Sequence, residues 1–357
     1  MLHTGHGTVA TPAFMPVGTF GAVRGLTPAQ LESAGVEILL ANSYHLALRP
    51  GVETIRKLGG LHRFMGWERP ILTDSGGFQM FSLAPLVSVD EQGAIFRSHI
   101  DGARFEMTPE KSVAIQCDLG VDVGMVFDSV TARPSDRDDA ARASERTLRW
   151  TRRAKVAYDE RTVDGGTELF AIMQGGVFED LREENAAAVV ELGFPGYAVG
   201  GLSVGEARAE TMATARHAVG LLPETKPRYM MGMGTPQDLV DLCGWGYDLF
   251  DCVIPTRNGR NGSVFTSRGT LTLRNAAHAV DPRPLDDDCD CYACGHFSRG
   301  YLHHLAKRRE MLAAVLASIH NIRYYQRLMA RIRSALADDR YEDFAQRFAA
   351  AREEGES

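Results

Sequence analysis

Three aspartates and one glutamine follow short apolar runs at widely separated points of the chain. They are Asp74, Asp128, Gln174 and Asp251. In glycosidic chemistry one carboxylate attacks an oxocarbenium-like carbon, while a second serves first as general acid and then as general base. A third carboxylate and an amide can read the edge of a planar heterocycle, because they accept from ring N–H groups and donate to a carbonyl. This set of residues therefore predicts glycosidic chemistry on a substrate that contains such a ring.

Two arginines and two glycine pairs extend this set. An apolar run ends at Asp251, and we expect a loop with Pro255, Arg257 and Arg260 to follow it. A carboxylate beside a cationic loop suits a covalent reaction on an anionic polymer. On its own the stretch also fits an aspartate that caps a helix beside a solvated loop. The recurrence of polar residues after other apolar runs, with the pairs Gly175-Gly176 and Gly200-Gly201, favours a site, since glycines let a ligand approach the backbone.

Two apolar side chains and one serine motif belong to the same regions. Phe78 and Met231 could cover the faces of a planar ring, although core packing explains them equally well. The stretch Gly201-Leu202-Ser203-Val204-Gly205 fits the nucleophile-elbow pattern of serine hydrolases. A hydrolase also needs a supporting Asp and His, and the next ones downstream, Asp238 and His278, stand in no recognisable motif. A Ser203 hydrolase therefore remains a remote alternative.

Three of the six cysteines, Cys289, Cys291 and Cys294, fall within one short acidic stretch. In a chain without signs of secretion, such a cluster indicates a metal site rather than a disulfide framework. Three Cys and one His form a common structural zinc set that leaves no position open for catalysis. The spacing does not choose the fourth ligand among the nearby histidines, which are His296, His303, His304 and His320.

Composition excludes several classes of protein. None of the apolar runs in the 357 residues reaches the length of a membrane span, and the first residues lack the pattern of a secretory signal, so we expect a cytoplasmic protein. The net charge of −7 does not indicate a nucleic-acid binder. A local basic patch is still compatible with it, because Arg257, Arg260, Arg268 and Arg274 follow one another with no acidic residue between them.

The polar residues are positioned by alternating apolar and amphipathic segments, which predict βα units around a parallel sheet. Three helix N-termini are marked by a threonine followed by a proline, at Thr27, Thr108 and Thr235. A long helix is predicted from Ser135 to about Tyr158. Eight βα units match an α/β fold of the (β/α)8 TIM-barrel type; a doubly wound sheet would need a glycine-rich phosphate loop that the chain lacks. The eight predicted strands are Ala13–Val17, Val36–Ala41, Pro70–Thr73, Asp122–Phe127, Glu168–Met173, Tyr197–Val199, Arg228–Met231 and Leu249–Ile254.

We expect three parts in the chain. Residues 1–273 form the barrel, with a small β-hairpin insertion at 76–105. Residues 274–321 form an inserted zinc-binding subdomain. Residues 322–357 form a final helix, Ile322–Ala337, and a tail that pack on the barrel.

Taken together, these motifs resemble the bacterial-type tRNA-guanine transglycosylases, also called queuine tRNA-ribosyltransferases. The resemblance runs from about His6 to Arg327, which is nearly the whole chain. It rests on the stretches Thr73-Asp74-Ser75-Gly76-Gly77-Phe78-Gln79, Gln174-Gly175-Gly176, Gly200-Gly201-Leu202-Ser203-Val204-Gly205-Glu206, Phe250-Asp251-Cys252-Val253-Ile254-Pro255-Thr256-Arg257 and Cys-x-Cys-x2-Cys-x25-His ending at His320.

The resemblance implies that the wobble guanine of tRNAs with a U-G-U anticodon sequence is exchanged for a 7-deazaguanine base. Asp251 would be the nucleophile on the ribose C1′, and Asp74 the general acid and base. The residues implied to bind the base are Ser75, Phe78, Asp128, Gln174, Gly201, Leu202 and Met231, while Arg257 and Arg260 would hold the RNA. It also implies one structural zinc on Cys289, Cys291, Cys294 and His320, and a homodimer.

Several positions depart from the pattern of the family. Ser129-Val130 stand where bacterial members usually continue Glu-Cys, and Val204 stands where queuine-using members tend to carry Gly. Val204 favours the queuine precursor, 7-aminomethyl-7-deazaguanine, as the incoming base, whereas Val130 leaves queuine as the alternative. Thr235 replaces a lysine common in bacterial members. Because the chain begins very near the first motif, we expect the N-terminal hairpin strand to be clipped.

Overall fold

The computed structural model of the chain describes residues 1–82, 84–98, 102–130, 136–161 and 166–356. Eight parallel strands close into a barrel, in the order in which the chain presents them. All eight predicted strands are present, so the TIM-barrel prediction is confirmed. Numbered in chain order, the barrel strands are β3 (Ala13–Gly18), β4 (Leu39–Asn42), β5 (Ile71–Asp74), β9 (Val123–Met125), β10 (Glu168–Met173), β11 (Tyr197–Val199), β12 (Arg228–Met230) and β13 (Leu249–Cys252).

Helices surround the strands. The predicted threonine caps are present, and the Thr27 hydroxyl accepts from the Gln30 N–H at 3.3 Å. Ser135 lies outside the described residues. The α-helices are α1 (Pro28–Ser33), α2 (Ser43–Leu48), α3 (Val52–Lys57), α4 (Gly60–Met65), α5 (Gly77–Ser82), α6 (Pro109–Leu119), α7 (Arg137–Arg161), α8 (Glu179–Glu191), α9 (Arg208–Val219), α10 (Pro236–Trp245), α11 (Ile254–Asn261), α12 (Tyr292–His296), α13 (Arg299–Arg308), α14 (Met311–Ala337) and α15 (Tyr341–Glu356).

The β insertion is a three-stranded antiparallel sheet, so the prediction of a hairpin was one strand short. Its strands are β6 (Val87–Val89), β7 (Ala94–Arg97) and β8 (Arg104–Met107). The first two match the strands that the sequence predicts at Leu86–Val89 and Gly93–His99, of which His99 lies outside the described residues. The third was missed because Arg104 and Glu106 interrupt its apolar pattern. They pair with each other on the exposed face.

Two short hairpins lie outside the barrel sheet. One is formed by β1 (Leu2–Thr4) and β2 (Gly7–Val9), so the N-terminal hairpin that we expected to be clipped has both of its strands. The other is formed by β14 (Ser263–Thr266) and β15 (Gly269–Thr272). The second hairpin packs against α14, although we predicted these residues to belong to the barrel.

A buried carboxylate fastens the first hairpin to the bottom of the barrel. Asp122 Oδ1 accepts from the backbone N–H of His6 at 3.0 Å and contacts the His6 ring at 2.9 Å. Its Oδ2 accepts from the Ile71 N–H at 2.9 Å and contacts the His62 ring at 3.0 Å. The two rings stack with centroids 3.6 Å apart. Each carboxylate oxygen therefore has two partners, and the Asp122 side chain is almost inaccessible to solvent.

Helix α14 joins the second hairpin to the barrel and differs from the predicted final helix. It begins at Met311 rather than at residue 322, and α15 continues the chain where we expected a tail. The buried polar pair His320 and Asn321 interrupts the apolar pattern and so suggested a boundary. Both side chains have partners: the Asn321 amide donates to the Pro255 carbonyl at 2.8 Å and accepts from the Phe265 N–H at 3.0 Å.

Candidate active site

The carboxyl ends of the barrel strands bring the predicted polar residues to one mouth. Asp74 ends β5, Asp251 lies in β13, and Asp128 and Gln174 follow β9 and β10. Because the strands are parallel, these ends open on the same side of the barrel. Burial raises the pKa of Asp74 to about 7, and the negative charges of Asp251 and Asp128 contribute to that shift. The three carboxylates therefore share one electrostatic environment.

Asp74 is held by the junction between the neighbouring strand β4 and helix α2. The Asn42 side-chain amide donates to Asp74 Oδ2, and the Ser43 N–H donates to Oδ1 at 3.3 Å. These donors favour the ionised form, but burial outweighs them. At neutral pH the carboxyl group of Asp74 is therefore poised between its acid and base forms. The sequence reading missed Asn42, whose only signal is an amide at the end of an apolar strand.

Asp251 has a different set of partners. The Tyr229 hydroxyl donates to Asp251 Oδ1 at 2.6 Å, and the Gly232 N–H donates to the same oxygen at 2.8 Å. Within the described residues Oδ2 has no hydrogen-bond partner. Burial raises the pKa of Asp251, and the two donors oppose that rise. One carboxylate oxygen is thus fixed in place while the other is available for attack on an electrophile.

Tyr229 is a candidate site residue that the sequence did not indicate, because its hydroxyl contacts Asp251. It lies in the middle of β12 and is fully buried. Burial and the neighbouring charge of Asp251 raise its pKa well above the ordinary value, so it remains a hydrogen-bond donor. The signal was a tyrosine inside a short barrel strand, which core packing explains equally well.

Asp128 and Gln174 form a buried pair that could read the edge of a heterocycle. The Gln174 amide donates to Asp128 Oδ2 at 2.7 Å. Burial raises the pKa of Asp128 to about 6, while hydrogen bonds from Gln174 and Ser75 limit the rise. The Gln174 backbone N–H donates to the Asn185 side chain at 3.0 Å. Ser75 and Gln174 thus position Asp128, and Asn185, which was not predicted, positions Gln174.

The remaining predicted base-binding residues follow three of the same strands. Phe78 lies on α5 and is 51% exposed. Gly201 and the buried Leu202 follow β11, and the partly buried Met231 follows β12. All four therefore lie on the same side of the barrel as the carboxylates.

The serine motif does not have the arrangement of a hydrolase. Ser203 has a positive φ of 60°, as a nucleophile elbow requires. However, the Ser203 N–H and the Val204 N–H both donate to the Glu206 carboxylate, the latter at 3.0 Å. In an elbow the second of these groups would stabilise an oxyanion. No histidine hydrogen-bonds the Ser203 hydroxyl in the described part of the chain, and Asp238 instead caps α10.

The stretch after Asp251 is helical, and the prediction of a loop there was wrong. Helix α11 starts with Ile254 and Pro255, where proline suits the first turn. Gly259 permits close packing on α14, because a Cβ at this position would lie 2.8 Å from Ser318 N. Arg257 and Arg260 lie three residues apart, hence on one face of α11. Burial and the charges of Arg24 and Arg257 lower the pKa of Arg260, so three cations meet beside the mouth.

The three clustered cysteines meet His320 of α14. The four ligand atoms of Cys289, Cys291, Cys294 and His320 all lie within 4.8 Å of one another. His320 Nδ1 is 3.2 Å from Cys294 Sγ and 3.5 Å from Cys291 Sγ. His320 Nε2 is 2.7 Å from the Phe265 carbonyl, which fixes Nε2 as the protonated nitrogen and leaves the lone pair of Nδ1 facing the sulfurs. This donor set fits a tetrahedral soft metal ion.

None of the helices within the described residues combines the length and the apolar character that a membrane span requires.

Comparison with known proteins identifies close relatives. A family model described as queuine tRNA-ribosyltransferase matches residues 1–354. The queuine tRNA-ribosyltransferase of Azoarcus sp. (strain BH72) is 51% identical over 350 residues, which are 98% of this chain and 94% of the relative. Those of Aliivibrio salmonicida (strain LFI1238) and Nitrosomonas europaea are each 52% identical, over 97% and 96% of this chain and 92% and 91% of the relatives.

Proposed function

The chain belongs to the queuine tRNA-ribosyltransferase family, and on this basis we propose that it is a tRNA-guanine transglycosylase acting in queuosine biosynthesis. It exchanges the wobble guanine of tRNAs with a U-G-U anticodon sequence for a 7-deazaguanine base. The observation that carries this proposal is the pair Asp251 and Asp74 at one barrel mouth. One is a carboxylate fixed through a single oxygen, and the other is a carboxyl group with its pKa raised to about 7.

The reaction follows from these two environments. Asp251 Oδ2 attacks the ribose C1′ of the wobble nucleotide, and the bond between C1′ and guanine N9 breaks. Asp74 gives its proton to the departing guanine. The Asp74 carboxylate then takes the N9 proton of the incoming base, whose nitrogen attacks C1′ and releases Asp251. Two displacements retain the configuration at C1′ and predict ping-pong kinetics.

Asp128 and Gln174 are the groups that recognise the base. The Asp128 carboxylate accepts from the ring N–H and the exocyclic amine, while the Gln174 amide and the Gly201 N–H donate to the ring carbonyl. Ser75 supports Asp128, and the Leu202 carbonyl meets an aminomethyl substituent. Phe78 and Met231 cover the two faces of the ring.

We propose 7-aminomethyl-7-deazaguanine rather than queuine as the incoming base. Val204 follows Leu202 directly and its side chain is partly buried, so it occupies space that the cyclopentenediol group of queuine needs. Comparing the KM values of the two bases tests this choice. Equal KM values for queuine and the precursor would contradict this choice. In that case the Val204→Gly variant should leave the KM of both bases unchanged.

The tRNA is bound beside the nucleophile by Arg257 and Arg260. Their support is the cluster that they form with Arg24 on and near α11, directly after β13. Like-charged side chains at this spacing favour a bound polyanion such as the anticodon backbone. As an enzyme of tRNA, the protein is expected to work in the cytoplasm.

We also propose that Cys289, Cys291, Cys294 and His320 hold one zinc ion. A closed set of three thiolates and one imidazole gives the metal a structural rather than a catalytic role. The fixed tautomer of His320 supports this ligand set.

A homodimer is supported by an exposed group of large side chains near the cysteine cluster. Tyr292, Tyr301, Met311 and Leu312 are 55%, 40%, 85% and 43% exposed, and they belong to α12, α13 and the start of α14. Aromatic and methionine side chains are enriched at subunit interfaces. Light scattering on the purified protein measures the oligomeric state.

Exchange of labelled guanine into tRNA tests the reaction. The Asp251→Asn variant should lose both exchange and the covalent adduct with tRNA that denaturing gels detect, because an amide is a poor nucleophile. The Ser203→Ala variant should keep near-normal exchange. Full exchange by Asp251→Asn would remove the proposed mechanism, and loss of activity in Ser203→Ala alone would favour the hydrolase.

A further inference from the structure

We propose that Arg182 is a positioning residue that orients the Gly201 N–H toward the base, an inference that rests on the proposed function of the mouth. Arg182 lies on α8, behind the loops that follow β10 and β11. Its Nε donates to the Gly176 carbonyl at 2.7 Å, and its Nη2 donates to the Gly200 carbonyl at 2.9 Å. One guanidinium group therefore contacts both glycine pairs, Gly175-Gly176 directly after Gln174 and Gly200-Gly201 directly after β11.

The orientation follows from the planarity of the peptide bond. In a trans peptide the carbonyl of one residue and the N–H of the next point in opposite directions. Because the Gly200 carbonyl points at the Arg182 guanidinium, the Gly201 N–H points away from it. Gly201 itself lies against the Gln174 side chain, since a Cβ at Gly201 would be 2.2 Å from Gln174 Oε1. The N–H and the Gln174 amide are thus presented together.

The backbone of the first loop is shaped to admit Arg182. Gly175 has a φ of 144°, and a Cβ there would lie 2.7 Å from Arg182 Cγ and 2.8 Å from Arg182 N. A side chain at this position would separate the loop from the helix. The same helix supplies Asn185, which accepts from the Gln174 N–H at 3.0 Å. Helix α8 therefore controls both donors that we propose for the ring carbonyl.

The guanidinium group of Arg182 depends on backbone carbonyls rather than on a salt bridge. It is completely buried, and it forms no salt bridge within the described residues. Its Nη1 has no hydrogen-bond partner in that part of the chain. Burial lowers its pKa to about 10, so the group remains charged at neutral pH. The charge of Glu206 acts on Arg182 without forming a salt bridge with it, so its direct partners are the two carbonyls of the glycine loops.

The test compares Arg182→Lys and Arg182→Met with wild type in guanine exchange. Lysine keeps the charge but cannot span two carbonyls, and methionine keeps only the apolar stem. We expect the KM for the free base to rise about tenfold or more, the size of a lost charge-assisted hydrogen bond, while the KM for tRNA changes less than about twofold. Val189→Ala is the matched control, because it truncates a buried residue of the same helix about two turns beyond Arg182.

A second measurement separates positioning from general loosening of the fold. 2-Aminopurine lacks the 6-oxo group that the Gly201 N–H would contact, and it also lacks the N1–H from which Asp128 would accept, so it binds more weakly than guanine already in wild type. Inhibition by guanine should weaken in Arg182→Lys, while the weaker inhibition by 2-aminopurine stays within about twofold of wild type.

Two results would overturn the proposal. One is an unchanged KM for the base in Arg182→Lys, and the other is an equal loss of inhibition by guanine and by 2-aminopurine in that variant. If wild type itself shows no guanine exchange, the proposed function fails rather than this inference.

Discussion

Asp74 and Asp251 illustrate how the surroundings of like groups assign different roles. Both are buried aspartates at strand ends, but Asp251 accepts from a tyrosine hydroxyl and a backbone N–H on one oxygen. Asp74 instead accepts from an asparagine and a backbone N–H on separate oxygens, close to two other carboxylates. Burial raises the pKa of both groups, so it is the different donor sets that support an acid–base role for Asp74 and a nucleophilic role for Asp251.

The raised pKa of Asp74 has a consequence for stability. The native state binds its proton up to about pH 7, whereas the unfolded chain releases it near the ordinary value of 3.8. The contribution of Asp74 to the free energy of unfolding is therefore fully present below pH 3.8, and it is lost as the pH rises through 7. We expect the Tm of Asp74→Asn, relative to wild type, to be higher at pH 8 than at pH 4, as measured by scanning calorimetry.

A surface substitution serves as the control for that measurement. Asp159→Asn changes an exposed side chain of α7, and its Tm difference from wild type should vary little between the two pH values. A Tm difference for Asp74→Asn that is constant with pH would mean that Asp74 is already ionised at pH 4.

The residues that the sequence could predict are those with a distinctive type at a strand end. Asp74, Asp128, Gln174 and Asp251 met that condition. Tyr229 and Asn42 did not, because a tyrosine within a strand and an asparagine before a helix have common structural explanations. Their contacts with the carboxylates arise between neighbouring strands, and the sequence alone does not state which atoms meet there.

At the scale of elements, the bottom of the barrel is organised around Asp122. This carboxylate joins the turn of the first hairpin, α4 and the start of β5 through four contacts. Burial acts to raise its pKa, but hydrogen bonds from His62, Ile71 and His6 outweigh burial and hold the pKa well below the ordinary value. The folded protein therefore keeps Asp122 ionised at acidic pH values at which the unfolded chain binds a proton.

The Asp122→Asn variant should be less stable by about 1.5–3 kcal/mol at pH 7, the range for hydrogen bonds to a charged group. For a lowered pKa, the stabilisation is present above the unfolded value of 3.8 and is lost as the pH falls through the folded value. The difference in free energy of unfolding between wild type and Asp122→Asn should therefore become smaller when urea titrations are carried out at strongly acidic pH.

Asp118→Asn is the comparison, because Asp118 is partly exposed and its nearest cation, Arg161, is 3.7 Å away. It should change the free energy of unfolding by less than about 1 kcal/mol. If the free-energy difference between wild type and Asp122→Asn stays constant down to pH 2, the carboxylate charge does not have the proposed role.

The elements themselves were predictable where the hydrophobic period was regular. The eight strands and the threonine-capped helices follow directly from the sequence pattern. Helix α11 was missed because Gly259 and Pro255 suggest a loop, whereas Gly259 actually allows α11 to approach α14. The start of α14 was missed because its buried polar residues have partners only in distant segments.

At the scale of the whole molecule, α14 connects the cysteine cluster to the barrel. His320 lies near its middle, and the Tyr325 hydroxyl donates to the Gly234 carbonyl at 2.6 Å. Farther along, the Gln326 amide donates to the Phe14 carbonyl at 3.1 Å. A change at the cluster is therefore transmitted to strand β3 and to the loop after β12 through one rigid helix.

We expect elemental analysis of freshly purified protein to find one zinc per chain. Removal by a strong chelator should lower the Tm by several degrees, because the metal closes a site that the unfolded chain lacks. Cys294→Ser should reproduce that loss, while Cys117→Ser, outside the cluster, should retain the zinc. Zinc-free wild-type protein with an unchanged Tm would contradict the structural role.

The pairing of β13 with β3 also sets the order in which activity can arise during translation. Asp251 is opposite Met15 in the register, so the last barrel strand to leave the ribosome closes against the first. A nascent chain that stops before residue 249 holds Asp74, Asp128 and Gln174 but has neither the nucleophile nor a closed barrel. With Asp251 as the proposed nucleophile, such an incomplete chain could not form the covalent adduct with tRNA.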